Sequence, residues 1–276
     1  MKSMTKNLMA AALLMALPVG ASFACTTTAW NGNTGAAAGA EAGGPLASTG
    51  GFARYSGDCA LRTGAGEFVT DNTPGGTGSG GESVYRARFY VLTSGTGKVF
   101  SATTGDSNGG AEVVGVTFDG SAFTFSGATG VSPIPATANR WYSVEISHNS
   151  GGAFSAVVQG NGGATATTQS GTSAAASVGS ASLGLLAGTG SMIVDEFEST
   201  RSADTAIGRL CPGDTNASGT YSATDLARIR NEILTILSAS PVLAGGQPDA
   251  NESGGVTATD ISVVRAKILA LQTACP

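Results

Sequence analysis

The chain has 276 residues, 14 basic against 19 acidic side chains, a formal charge of −5, and 42 glycines. The acidic balance argues against nucleic acid and against anionic membrane surfaces as partners. The length leaves room for a sizeable core and a second, smaller unit.

Residues 1–24 read as a secretory signal peptide. Lys2 and Lys6 precede the apolar run LMAAALLMALPVGASFA, and Ser22-Phe23-Ala24 resembles a small-x-small cleavage site. The run is short and nothing comparable follows, so no transmembrane segment is expected, and the protein is expected to be secreted, extracellular or at the cell surface. Cys25 invites a lipoprotein reading, but Ser22 and Phe23 make a poor lipobox.

Residues 25–200 form the larger expected unit. It is poor in helix formers, and GAAAGAEAG at 35–43 and TPGGTGSGG at 73–81 are low-complexity loops. The clearest predicted strands are Ser83–Leu92, Lys98–Thr103, Glu112–Phe118, Ala122–Ser126, Arg140–His148, Ala153–Gln159, Ser182–Ala187 and Ser191–Ser199. Many short strands with regular turn signals predict a mainly β protein built on an antiparallel β-sandwich. In the first of these strands Tyr85, Ala87, Phe89 and Val91 share one face, and Val84, Arg86, Arg88 and Tyr90 the other. The order YRARFYV, RWYSVEISHN, SLGLLAGTGSMIVDEFESTR is similar to concanavalin A-like (laminin-G-like) jelly-roll domains. That resemblance implies a sandwich that binds carbohydrate or protein; some such domains are hydrolases.

Asp195, Glu196 and Glu198 are the most tempting carboxylates. The E-x-D-x-x-E motif of laminarinase-type glucanases on this fold is not met. Alternation puts Glu196 and Glu198 on one face and Asp195 on the other. Such a pair suits acid–base work at a glycosidic bond; the plainer reading is a solvated last strand, and no catalytic residue is assigned. His148, the sole histidine, reads as an exposed strand end. Tyr85, Tyr90, Trp141 and Tyr142 are the candidate rings for stacking on a sugar. Asp106, Asn108 and Asp119 form a minor candidate calcium site in turns.

Residues 201–210 read as a linker to the unit at 211–276. There the chain says the same thing twice. DTNASGTYSATD runs from Asp214 to Asp225 and DANESGGVTATD from Asp249 to Asp260, both fitting D-x-N-x-S-G-x-x-x-x-T-D. Calcium takes six to eight oxygen ligands from a tight loop. The first loop offers Asp214, Asn216, Ser218, the Thr220 carbonyl and Asp225; the second offers Asp249, Asn251, Ser253, the Gly255 carbonyl and Asp260. Gly219 and Gly254 sit at the sixth position, where the chain turns sharply. Each loop leads into an apolar stripe at helical spacing: Leu226, Ile229, Ile233, Leu234 and Leu237, then Ile261, Val264, Ile268, Leu269 and Leu271. Two calcium ions are expected.

These repeats resemble the dockerin family, whose two loop–helix repeats carry aspartate at the twelfth position and lack a preceding helix. Here the loops follow CPG and GQP. The resemblance implies a cohesin-type partner, contacted through the tenth and eleventh loop positions, Ala223 and Thr224 and their counterparts Ala258 and Thr259. Serine at the fifth position, where many dockerins have aspartate, lowers the charge of each site. The spacer is longer than in compact dockerins.

Four cysteines in a secreted chain are expected to pair. Cys25 with Cys59 and Cys211 with Cys275 respects the division into units, and two other connectivities stay open. The expected function is a secreted, non-catalytic protein docked to a cohesin-type partner or surface. Its alternatives are a carbohydrate-binding lectin with a structural calcium module, and a glycoside hydrolase.

Overall fold

The computed structural model describes residues 26–40, 54–57, 59–75, 80–105, 110–202, 205–234, 242–243, 245–272 and 274–275. The signal peptide, Cys25, Asp106 and Asn108 lie outside them. Among the described residues the strands are β1 (Gly32–Thr34), β2 (Ala37–Ala40), β3 (Cys59–Gly64), β4 (Glu67–Asp71), β5 (Val84–Leu92), β6 (Thr96–Thr103), β7 (Glu112–Phe118), β8 (Ala122–Ser126), β9 (Ala128–Thr129), β10 (Ile134–Pro135), β11 (Trp141–Asn149), β12 (Ala153–Gly160), β13 (Thr167–Ser173), β14 (Ser180–Thr189) and β15 (Ser191–Thr200). Two helices follow, α1 (Ala223–Ile233) and α2 (Ala258–Leu269).

The strands pair antiparallel into a seven-stranded sheet, β1-β4-β14-β6-β7-β8-β10, and an eight-stranded sheet, β2-β3-β15-β5-β11-β12-β13-β9. The eight predicted strands are all present. β3 escaped prediction because Arg62, Thr63 and Gly64 interrupt its apolar pattern, β4 (EFVTD) because it offers only two apolar residues, and β13 (TTQSGTS) because it has none. The core lies between the sheets, with Phe89, Val91, Phe100, Val116, Phe118, Ile146, Leu183 and Val194 buried in it. Phe89 and Phe100 stack across the two sheets at 5.4 Å between ring centroids.

The alternation predicted for β5 is correct: Tyr85, Ala87, Phe89 and Val91 enter this core. The other face is not left to water. Tyr90 and Leu92 join Tyr55, Ala60, Trp141 and Ile193 in a second buried cluster on the outside of the eight-stranded sheet. A strand buried on both faces needs a cover, and residues 205–210 with the C-terminal unit supply it.

That unit is built on a small core of its own, in which Tyr221, Ile229, Ala250 and Val264 are buried with Leu226, Ile233, Val256, Ile261 and Ile268 packed around them. Gly213 has φ +97°, and a Cβ there would stand 2.6 Å from a Val264 methyl, so the CPG turn closes only with glycine. The ends of the predicted stripes are not core: Leu234 is 48% exposed, Leu269 71% and Leu271 86%. α1 stops at Ile233, one residue short of Leu234, and Leu237 is outside the described residues. Cys211 and Cys275 are disulfide-bonded, with 5.8 Å between their Cα atoms. Cys59 is also disulfide-bonded.

Candidate metal centre and its seat on the sandwich

The two loops fold alike because their aspartates collect the same backbone amides. Asp214 accepts from Asn216 N (3.3 Å) and Ser218 N (3.1 Å) with one oxygen and from Gly219 N (2.6 Å) with the other. Asp249 accepts from Ser253 N (3.0 Å) and Gly254 N (2.7 Å). The fourth and sixth positions of each loop are left-handed: Ala217 (φ 52°) and Gly219 (76°), then Glu252 (53°) and Gly254 (96°).

The closing aspartates serve loop and helix together. Asp225 accepts from Thr215 N with one oxygen and from Ser222 N with the other, both at 2.8 Å, and so caps α1. Asp260 accepts from Asn251 N (3.1 Å) and Thr257 N (2.7 Å) and caps α2. Ser218 Oγ lies 3.1 Å from the Thr220 carbonyl, and Ser253 Oγ lies 3.3 Å from that of Gly255, so two of the predicted ligand oxygens meet in each loop.

Asp214, Asp225, Asp249 and Asp260 are all buried. Among the described residues, none of the ion pairs involves them. Burial, with Asp260 adding, pushes the Asp249 carboxyl up to about 6. Buried carboxylates without a cationic side chain are costly, and an all-oxygen donor set suits a hard divalent cation. The residues therefore fit calcium. Cys211 and Cys275 sit beside Asp214, but their sulfurs are joined and offer no thiolate.

Residues 212–269 match the family model of the dockerin type I domain. The C-terminal unit is a dockerin type I domain. No curated protein matches the chain. Among solved structures, the botulinum neurotoxin type G receptor binding domain is similar with a TM-score of 0.35 and 11% identity, over 59% of this chain and 42% of that one. The botulinum neurotoxin serotype D binding domain gives 0.37 and 10%, over 60% of this chain and 43% of that one. This chain thus spans less than half the length of either.

The dockerin sits against the sandwich through charged contacts. Arg54, just before β3, is ion-paired with Glu232 in the last turn of α1. Arg209 is ion-paired with Glu252 of the second loop, whose carboxylate also accepts from Gly163 N at 3.1 Å. Gly57 N donates to the Gly246 carbonyl at 3.1 Å. Residues 207–210 lie along the sheet as a strap: Glu145 accepts from Ile207 N (3.1 Å) and Gly208 N (2.8 Å), and Leu210 N donates to the Tyr90 hydroxyl at 2.7 Å.

The carboxylates of β15 belong to this seat. A bulge lies between Asp195, paired opposite Tyr90, and Glu198, paired opposite Arg88. Asp195 and Glu198 therefore share the outer face, which alternation alone had denied them. Asp195 accepts from Tyr55 N (2.7 Å) and Ser56 N (3.0 Å). Glu196, at φ 47°, accepts from Ser56 Oγ and Gly245 N, both at 2.8 Å. Glu198 is paired with Arg88 at 3.0 Å. These groups hold chain segments together; the strand is not simply solvated.

Other expectations are corrected. His148 is buried, not exposed, with Nε2 2.8 Å from the Ala176 carbonyl. Tyr85, Tyr90, Trp141 and Tyr142 are buried and offer no stacking face. Asp119 accepts from Ser121 N and Ala122 N, both at 2.8 Å, in a turn. Trp30 and Phe197, 5.1 Å apart, border a cavity of about 480 Å³ lined also by Asp71, Thr73, Leu183 and Val194. Ala223, Thr224, Ala258 and Thr259 are all exposed, in the first turns of α1 and α2.

Sequence reasoning missed Arg54, Arg209, Glu232 and Glu252. One signal was present: the fourth loop position is alanine in the first repeat and glutamate in the second.

Proposed function

We propose that this is a secreted, non-catalytic protein whose dockerin domain binds two calcium ions and docks on a cohesin-type partner, presenting the sandwich. The ligands are Asp214, Asn216, Ser218, Thr220 and Asp225, then Asp249, Asn251, Ser253, Gly255 and Asp260. The partner contacts are Ala223, Thr224, Ala258 and Thr259. The observation that carries this reading is the duplicated loop geometry, with each Ala-Thr pair exposed beside its loop. The Cys211–Cys275 disulfide suits an oxidising compartment, and no described helix is long and apolar enough to cross a membrane. The units are taken as 1–24, 25–200, 201–210 and 211–276. The test is capture of cohesin-bearing proteins from the same source by the full chain, in calcium and in chelator. Capture only in calcium supports docking; capture indifferent to chelator, or none, counts against it.

A second reading has its own observation. The Trp30–Phe197 cavity combines two rings with polar Asp71 and Thr73, the composition of a small carbohydrate site. A glycan array with the full chain and with Trp30→Ala tests it. Silence across polysaccharides, or binding unchanged in the variant, removes this reading.

A further inference from the structure

The two calcium loops are near copies in sequence and backbone, yet among the described residues only the second reaches the sandwich with a side chain of the loop itself; the first repeat is held through Glu232 of α1, which pairs with Arg54. Its fourth residue, Glu252, is nine-tenths buried and touches three separate parts of the larger unit: Arg209 of the strap, Gly163 N at 3.1 Å in the turn after β12, and the Tyr55 hydroxyl at 3.4 Å before β3. Arg209 in turn donates to Tyr55 at 3.0 Å and to Asn161 Oδ1 at 2.7 Å. The residues that lead into the second loop are seated too: Gly245 N donates to Glu196, and the Gly246 carbonyl accepts from Gly57 N. In the first loop the corresponding fourth residue is Ala217, which is exposed.

Glu252 lies between two predicted calcium ligands, Asn251 and Ser253, and its left-handed backbone is part of the loop's wrap around the ion. Its carboxylate cannot keep its three contacts if that backbone turn is lost. We infer that the second loop is a calcium-linked clasp: occupancy of this site and seating of the dockerin on the sandwich favour each other, and more strongly than occupancy of the first site does. The inference rests on the two-site calcium reading. It makes the pair unequal, with the strap and Tyr55 acting as an extension of the second site. Because linkage is reciprocal, weakening the seat weakens calcium binding, and removing calcium loosens the seat.

The test uses the full chain. Calcium titration calorimetry is run on the wild type, Glu252→Gln, Arg209→Gln and Arg230→Gln; the last removes an exposed charge of α1 outside both loops and outside the seat. Amide hydrogen exchange of residues 54–57 and 205–210 is measured in calcium and in chelator. The expected result is two ions in every protein. One of the two affinities should be weaker by roughly tenfold in Glu252→Gln and Arg209→Gln, and neither should change in Arg230→Gln. Chelator should speed exchange at 54–57 and 205–210 in the wild type. Two ions bound by both clasp variants with wild-type affinities, and exchange indifferent to calcium, would overturn the clasp and leave the calcium reading standing. No calcium binding by the wild type would overturn both.

Discussion

Arg54 and Glu232 stand 178 positions apart in sequence and form an ion pair in which each side chain is 1% exposed. One residue leads into β3, and the other ends the first dockerin helix. A buried pair of this kind contributes little against a well-packed apolar pair, but removing one partner strands the other's charge away from water.

Arg54→Ala is therefore expected to lower the unfolding free energy by about 3 kcal/mol, and Glu232→Ala by a similar amount. The double variant should lose much less than the sum, because it leaves no stranded charge. Chemical denaturation of the four proteins checks this, and additive losses would show that the two residues do not act as a pair.

The dockerin's ends are joined across a sequence separation of 64 residues. In the chain-entropy model a loop of that length adds about 4 kcal/mol. The Cys211→Ser, Cys275→Ser double variant should unfold its dockerin well below the sandwich, giving two thermal transitions. A single transition at the wild-type temperature would contradict this stabilising effect of the disulfide.

Two buried groups, Asp195 and His148, contribute in opposite directions to the pH response of the sandwich. Burial, with the Glu196 carboxylate adding, pushes Asp195 up to about 8 from an ordinary 3.8. The folded state holds that proton longer than the unfolded one, so this contribution is fully present below about pH 4 and is lost as pH rises through 8. Asp195→Asn should flatten the loss of stability between about pH 4 and pH 8. Denaturation midpoints measured from acid to mildly alkaline pH read this directly.

His148 works in the opposite direction. Burial holds its imidazole below the usual 6.5. The unfolded chain takes up the proton first, so the His148 contribution is present above 6.5 and falls as pH drops below it. As this is the sole histidine, one imidazole resonance followed by NMR gives the folded value; a midpoint at or above 6.5 would contradict the burial argument.

The parts legible in the sequence are those whose cause is local. The D-x-N-x-S-G pattern specifies its own amide contacts within twelve residues, and Ser222 with Asp225 and Thr257 with Asp260 cap their helices within four. Phe89 and Val91 reveal the inner face of β5 by alternation alone. The seat was not legible because its causes are distant: nothing near Arg54 announces Glu232, and nothing near Tyr90 announces that residues 205–210 will cover it. The bulge after Asp195 is a further case, since a shift of one residue redirects a carboxylate that simple alternation assigns to the opposite face. His148 was misread for the same reason, as its cover comes from Ala176, 28 positions away.

The most direct test of the account is thermal unfolding of the full chain in saturating calcium and in chelator. Two sites filled at a hundred times their dissociation constants together add about 5 kcal/mol, which for a transition of the dockerin alone is roughly 20 °C or more in Tm. The account predicts a rise of that order, carried by the dockerin transition and lost in the Asn216→Ala, Asn251→Ala double variant. Identical unfolding curves in calcium and in chelator would contradict it.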